Sequence, residues 1–338
     1  MNPVVLIQLM QQYANYETGI RTFAFMKNKR LKVHRETEEE VRKRKSILPK
    51  NVREAAYDSL WDKLKETMKG RIDKHVWVDS NMYRIAVPIE TSSAQTGYGV
   101  LPTGSRVKIP EGKVVRAFTY WEKVNDIDLS CFALNEDGSR DEFSWRTMWT
   151  RQSNAVAFSG DVTDGYDGGS EYLDINISAF QREHPKAEYI IFCDNVFSDK
   201  HFKEVECRAG FMTRKEMASG EVFEPKTVQT SFRITCDSTF AYLFGIDLNT
   251  REMVWLNVAR DGNMHVAGSG GMDFLRKHFK ATNVISMGEL YAMAGMPVLD
   301  EEHAEVLVTD KYGALTEKDG KEIVRSCDFE KVLKLLAG

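Results

Sequence analysis

Two short segments of this sequence together have seven carboxylates and no basic residue. Residues 126–130 (DIDLS) supply two aspartates, and residues 159–176 (SGDVTDGYDGGSEYLDIN) supply four aspartates and one glutamate. If the fold brings the two segments together, their carboxylates repel one another unless a cation lies between them. Ca²⁺ takes about 6–8 hard oxygen ligands in flexible geometry, which a glycine-rich acidic loop can supply. The pattern therefore predicts a calcium site.

The spacing within each segment indicates how the oxygens could converge. Asp126 and Asp128 are two positions apart, so in a strand they lie on one face while Ile127 and Leu129 lie on the other. Glycines in the second segment let the backbone curl around an ion. The predicted metal ligands are Asp126, Asp128, Asp161, Asp164, Asp167, Glu171 and Asn176. This oxygen supply is enough for one calcium ion, with a second ion as the alternative.

An EF-hand does not explain the second segment. Counted from Asp161 or from Asp164, the twelfth position is Tyr172 or Ile175, where an EF-hand needs a bidentate glutamate. The alternative without an ion is ordinary turn chemistry, because Asp-Gly pairs are common in turns and surface carboxylates are usually solvated.

Composition excludes several classes of function. The chain of 338 residues has a formal net charge of −4, so no overall positive charge attracts nucleic acid or an anionic membrane. Its five cysteines are widely spaced and form no CxxC motif, which favours a reducing compartment over a disulfide framework or a zinc site. The start of the chain lacks a signal-peptide pattern, and no apolar run approaches the ~18 residues of a membrane span. A cytoplasmic location without a membrane span is expected.

The first 75 residues predict a segment of helices and a hairpin. Apolar residues recur at helical spacing over 4–16 and again over 51–69, where Asn51 is the expected N-cap. Residues 22–34 alternate around a Lys-Asn-Lys turn, which is typical of a β-hairpin.

Residues 76–271 change to a period of two and predict an antiparallel β-sandwich. Turn signals separate many short apolar runs, and helical periodicity is nearly absent. The predicted strands are 77–78, 83–87, 105–109, 114–121, 126–134, 143–148, 155–159, 172–177, 189–196, 207–213, 228–235, 240–247 and 253–257. Residues 91–104 are polar and rich in turn formers, and we expect a mobile loop there.

Residues 272–338 return to helical spacing and predict a small α/β appendage. Helices are expected over 272–280, over 287–294 after a Ser286 cap, and over 329–336, with a strand over 305–309. The glycine-rich run 268–271 (GSGG) lacks the GxxxxGK[ST] pattern of a phosphate-binding loop, so a tight turn is the interpretation we prefer. The chain as a whole is thus predicted to be mainly β.

The acidic segments resemble those of a known family. DIDLSCFALNEDG (126–138) and AVAFSGDVTDGYDGGSEYLDINIS (155–178) resemble the TerD family of bacterial tellurium-resistance and stress-response proteins. Residues 187–196 (AEYIIFCDNV) and 202–213 (FKEVECRAGFMT) are similar to its later strands. Residues 104–130 and 285–308 resemble longer bacterial proteins with a TerD-like domain near the C-terminus. This chain could therefore be part of a longer protein.

The resemblance implies a calcium-binding β-sandwich without enzymatic activity. Asp126, Asp128, Asp161 and Glu171 match the family pattern directly. The usual Gly-Asp-Asp-Glu run is replaced by Gly-Gly-Ser-Glu at 168–171, and the aspartate of the later Asp-Leu-Ser is Asn176. Asp164 and Asp167 could compensate, but fewer charged ligands imply weaker binding and make a second ion less expected.

Three functions remain open on the sequence. The first is a calcium-binding, non-enzymatic module of a bacterial tellurium-resistance, stress-response or defence system that acts through protein partners. The second is a lectin-like sandwich whose calcium contacts the hydroxyls of a carbohydrate. The third is an enzyme with a carboxylate pair such as Asp161 and Glu171, which the near absence of aromatic residues around the pair disfavours.

Overall fold

A computed structural model describes most of the chain and shows a mainly β protein. The described residues are 2–17, 20–27, 30–43, 48–89, 95–96, 100–110, 114–148, 153–222, 228–260, 275–276, 279–280 and 284–338. The predicted mobile loop at 91–104 falls largely outside them, as do the glycine run at 268–271 and most of the predicted helix at 272–280. No helix in the described part is both long and apolar enough to cross a membrane.

Helices lie mainly toward the two ends of the chain. They are α1 (Pro3–Ala14), α2 (Glu38–Lys43), α3 (Lys50–Met68), α4 (Trp145–Met148), α5 (Ile177–Glu183), α6 (Met287–Ala294) and α7 (Phe329–Ala337). The α6 prediction is confirmed together with its cap, because Ser286 Oγ accepts the Glu289 amide and the Glu289 carboxylate accepts the Ser286 amide. Asn51 was the wrong cap for α3, which begins one residue earlier and has Pro49 at the N-cap position.

The predicted N-terminal hairpin is confirmed by the antiparallel strands β1 (Thr22–Lys27) and β2 (Arg30–Arg35).

Two six-stranded antiparallel sheets occupy the middle of the chain. The first sheet has the order β4 (Gln95–Thr96), β13 (Val228–Ile234), β12 (Glu206–Arg214), β6 (Val114–Glu122), β10 (Gly169–Ile175), β9 (Val156–Phe158). The second has the order β5 (Arg106–Lys108), β15 (Glu252–Arg260), β14 (Phe240–Asp247), β11 (Ala187–Val196), β7 (Ile127–Asn135), β8 (Arg140–Phe143).

Side chains of the two sheets contact each other directly. The rings of Phe232 and Trp255 pack edge to face at 4.7 Å, and those of Phe211 and Phe244 lie 5.8 Å apart. Apolar residues of both sheets belong to one buried cluster. Burial of this shared apolar layer is the main force that holds the sheets together.

A third sheet is built from both ends of the chain. Its order is β16 (Met296–Pro297), β3 (His75–Val78), β17 (Val306–Val308), β19 (Lys321–Val324), β18 (Glu317–Lys318), and β3 is parallel to both of its neighbours. The Ile72 amide donates to the Ala294 carbonyl, and Arg71 Nη1 donates to the Leu335 carbonyl at 2.7 Å. The boundary predicted between residues 75 and 76 had placed most of β3 with the strands of the β-sandwich. In the structure, β3 instead pairs with β16 and β17 of the C-terminal segment.

Two local predictions were wrong in type, and one helix was missed. Residues 80–84 form a 3-10 helix where a strand at 83–87 was expected, and α4 occupies part of the expected strand at 143–148. Helix α5 was missed within a region of strand periodicity. Its N-cap is Asn176, whose side chain accepts the Ala179 amide at 3.1 Å. This local hydrogen bond ends the strand and starts the helix.

The glycine-rich loop after β9 packs closely on the first sheet. A Cβ atom at Gly165 would lie 2.6 Å from Nε1 of the buried Trp121, and one at Gly169 would overlap the same indole ring. The loop backbone can therefore pack against the Trp121 ring at these two positions only because glycine has no side chain. This close packing fixes the path of the acidic loop.

We expect Gly169→Ala to reduce the free energy of unfolding by about 1–3 kcal/mol, because the added methyl must displace the Trp121 ring or the loop. Urea unfolding followed by tryptophan fluorescence measures the change. Thr163→Ala, at an exposed position of the same loop, is the matched control and should change it by less than about 0.5 kcal/mol. Equal stability of Gly169→Ala and the parent protein would contradict the packing described.

Candidate metal centre

Three of the predicted ligands meet at one place. One carboxylate oxygen each of Asp126, Asp128 and Asp161 lies within 4.8 Å of the other two. No other group of three or more His, Cys, Asp and Glu residues in the described part of the chain has this proximity. Since a Ca–O bond is about 2.4 Å long, a single ion could contact all three oxygens.

The second sheet positions the first two aspartates. Asp128 lies in β7 opposite Asn195 of β11, and Asn195 Nδ2 donates to Asp128 Oδ2 at 3.2 Å. Asp126 comes just before β7, where its carbonyl accepts the Phe197 amide. Both aspartates are therefore fixed by pairing between β7 and β11.

The acidic loop brings the third aspartate to this strand. Asp161 follows β9 in the loop, and the loop is tied to the turn before β7 by two backbone hydrogen bonds. The Gly165 amide donates to the Asn125 carbonyl at 2.7 Å, and the Lys123 amide donates to the Tyr166 carbonyl at 2.9 Å. The two acidic segments, distant in sequence, are thus adjacent in the fold.

The three aspartates differ in their exposure to solvent. Asp128 is only 3% exposed, Asp126 is half-buried, and Asp161 is exposed. The Oδ1 atom of Asp126 is buried and has no hydrogen-bond partner among the described residues. A buried acceptor without a partner costs about 1–3 kcal/mol, and a bound cation would satisfy it. The residues present therefore fit a divalent ion with hard oxygen ligands.

Burial and the neighbouring carboxylates raise the pKa values of Asp126 and Asp128. Burial, and then the neighbouring Asp128 and Asp161 carboxylates, raise the pKa of Asp126 to about 7. Burial raises the pKa of Asp128 to about 6, against the opposing hydrogen bond from Asn195. A divalent ion at this position would supply the positive charge that the carboxylates lack.

Glu171 lies beside the three aspartates but outside their group. It is 1% exposed, and its two oxygens accept different amides: Oε2 accepts the Leu129 amide at 2.9 Å and Oε1 accepts the Val162 amide at 3.0 Å. Burial raises its pKa to about 9, against the effect of these two hydrogen bonds.

The remaining predicted ligands lie elsewhere. Asp164 and Asp167 are exposed loop residues outside the group, and the Asn176 side chain caps α5. Asp174, which shares the acidic segment, instead makes a fully buried ion pair with Arg116 at 2.6 and 2.7 Å. The structure brings together three of the seven predicted ligands, and a role in ion binding for the other four stays a prediction.

Sequence reasoning missed several residues around this group. Asn195 hydrogen-bonds Asp128, and the fully buried Asp194 accepts the Thr119 hydroxyl at 2.8 Å. Burial raises the pKa of Asp194 to about 8. The signal available in the sequence was the polar Asp-Asn pair at 194–195, which interrupts an apolar strand close to its end. Such a pair in a core strand indicates a specific polar partner.

Basic residues also border the site, although the acidic segments contain none. Lys200 Nζ donates to the Lys123 carbonyl at 2.6 Å and lies 5.6 Å from the centre of the Tyr166 ring. The attraction of Arg146 opposes the rise in the pKa of Asp128 that burial causes. These cations offset only part of the negative charge around the group.

Comparisons with known proteins identify no relative: the chain matches no family model, and no match was found among curated proteins or solved structures. The resemblance to TerD proteins therefore rests on the motifs of the sequence alone and stays a prediction.

In the absence of calcium, we expect the melting temperature to fall as the pH rises from about 4 to about 9. The pKa values of Asp126, Asp128 and Glu171 are raised above the ordinary values of about 3.9–4.3, so in this window the folded protein binds more protons than the unfolded chain does. Stability is then lost as these groups deprotonate. Calcium should replace the protons and reduce this loss.

Thermal unfolding in EDTA and in millimolar calcium, at about pH 5.5 and about pH 8, measures the effect. The increase in melting temperature caused by calcium should be larger at the higher pH. An increase that is larger at the lower pH would contradict the raised pKa values.

Proposed function

We propose that this protein is a calcium-binding, non-enzymatic β-sandwich module of the TerD type. In this proposal it acts in the bacterial cytoplasm, within a tellurium-resistance, stress-response or defence system, through protein partners. The observation that supports calcium binding best is the group Asp126, Asp128 and Asp161 with a buried, unpartnered Asp126 oxygen.

The chemistry of the donors favours calcium over other common ions. Three carboxylates without a nearby thiolate or imidazole are hard ligands, which disfavours zinc and copper. Magnesium requires near-ideal octahedral geometry at short distances, whereas calcium tolerates irregular sites. A glycine-rich loop joined to the end of a strand supplies such an irregular set.

The ion would have a structural role in this proposal. Asp128 lies in the second sheet and Asp126 just before its strand β7, whereas Asp161 lies in a loop that connects two strands of the first sheet. An ion held by all three would join the sheets at one end and neutralise the repulsion between them. Binding to the folded state alone would add about 2.7 kcal/mol of stability when free calcium is a hundredfold above Kd.

Removal of calcium should therefore destabilise the protein, and restoring it should reverse the effect. We expect EDTA to lower the melting temperature by several degrees and excess calcium to restore it. Asp161→Ala should abolish the calcium response because it removes the only cluster ligand contributed by the acidic loop.

Asp58→Ala is the control, since it removes an exposed carboxylate of α3 that lies outside the group and is not a predicted ligand. It should keep the calcium response. Differential scanning calorimetry of the three proteins tests the proposal, and a parent protein whose unfolding is unaffected by millimolar calcium would refute it.

A carbohydrate-binding role is the second candidate, and one observation favours it. Tyr166 and Phe197 are 52% and 66% exposed, and both belong to segments bonded to the turn before β7. Exposed aromatic rings beside a calcium ion could stack on a sugar whose hydroxyls coordinate the ion.

A glycan array in calcium and in EDTA distinguishes the two candidates. Carbohydrate recognition predicts binding that EDTA abolishes and that Phe197→Ala weakens by about tenfold or more. An array without calcium-dependent binding eliminates the second candidate and leaves the first unaffected.

A further inference from the structure

Glu171 connects the two halves of the acidic cluster through the backbone. Its Oε2 accepts the amide of Leu129, the residue after Asp128, and its Oε1 accepts the amide of Val162, the residue after Asp161. Each of these hydrogen bonds thus fixes the main chain directly beside a cluster aspartate. The side chain is 1% exposed, so water does not compete for these contacts.

The other contacts of the loop do not replace this connection. The Ser159 amide donates to the Tyr172 carbonyl, and the Tyr172 amide donates to Ser159 Oγ. This pair of hydrogen bonds holds the start of the loop to strand β10. The hydrogen bonds of Gly165 and Tyr166 hold the middle of the loop to the turn before β7. Among the described residues, the Glu171 side chain is the contact that ties the backbone beside Asp161 to β7.

We propose that Glu171 is a positioning residue, which holds Asp161 at the correct distance from Asp128, rather than a ligand of the ion. The proposal rests on the proposed calcium site. It assigns to Glu171 a role different from the ligand role that the sequence pattern predicted. Both of its oxygens already accept amides, and it lies outside the group whose oxygens could share an ion.

Side-chain length and charge can be separated by substitution. Glu171→Gln keeps the length but places an amide NH₂ against one of the two backbone N–H groups, so one hydrogen bond is lost. Glu171→Asp keeps the carboxyl group but is one methylene shorter, so it cannot span both amides. A positioning role predicts that both variants bind the ion more weakly, typically by about 10–100-fold for residues behind the ligands.

The decisive experiment is a double-mutant cycle of Glu171→Gln with Asp161→Ala, measured by titration of the full chain with Ca²⁺ and Tb³⁺. The higher charge of Tb³⁺ keeps binding to the weakened variants measurable. If Glu171 acts through Asp161, its substitution should weaken binding by at least about tenfold in the parent. In the Asp161→Ala background the further loss should be less than about threefold. Asp58→Ala, which removes an exposed carboxylate of α3 that is not a predicted ligand, is the control, with a change of less than about threefold in either background.

Several outcomes would overturn the proposal. Equal losses in both backgrounds would show that Glu171 acts independently of Asp161, as a ligand or as a charge. Parent-like affinity of Glu171→Asp would show that a carboxyl group at this position, and not the span between the two amides, is what matters. If circular dichroism shows that neither variant folds, Glu171 serves the fold as a whole and the positioning role is wrong.

Failure of the proposed function itself would look different. A parent protein that binds neither Ca²⁺ nor Tb³⁺ removes the calcium site and the positioning role together. In contrast, the parent protein could bind the ion while the losses of affinity in the double-mutant cycle are additive. That result leaves the calcium site intact and removes only the positioning role of Glu171.

Discussion

The cost of burying carboxyl groups at one end of the two central sheets, which their mutual repulsion increases, is the constraint on which the rest of the site depends. Asp128, Glu171 and Asp194 are each at most 3% exposed, and Asp126 and Asp161 lie close to Asp128. Charged groups in such a place are costly unless protons or a cation neutralise them. The raised pKa values of four of these groups are the direct consequence of that cost.

The contacts between the two sheets change in character toward this end. Elsewhere aromatic rings such as Phe232 and Trp255 fill the space between the sheets. Near the acidic group the sheets are joined by hydrogen bonds instead, from Thr119 to Asp194 and from the Leu129 amide to Glu171. These polar contacts are directional, so they fix the positions of the strands and the loop more narrowly than apolar packing does. A preorganised site of this kind suits an ion that is bound by residues from distant segments.

Much of the fold could be predicted from periodicity, because long apolar patterns depend only on which face is buried. The strand at 240–247 and the helix at 287–294 are examples whose bounds agree with the prediction. The proximity of the two acidic segments was a condition of the predicted calcium site, and the structure meets it. What periodicity could not reveal were side-chain partners. Asn176 caps a helix, and Asp174 pairs with Arg116, which is 58 residues away in sequence. The pairing of β3 with β17 was equally hidden, because the entire sandwich separates them in the chain.

The most direct test of the central claim is a crystal structure of the protein grown in calcium, with anomalous scattering used to locate the ion. We expect an anomalous peak between the carboxylates of Asp126, Asp128 and Asp161, with Glu171 still accepting the Leu129 and Val162 amides. A peak at a different place, or no peak among these three aspartates at millimolar calcium, would contradict it.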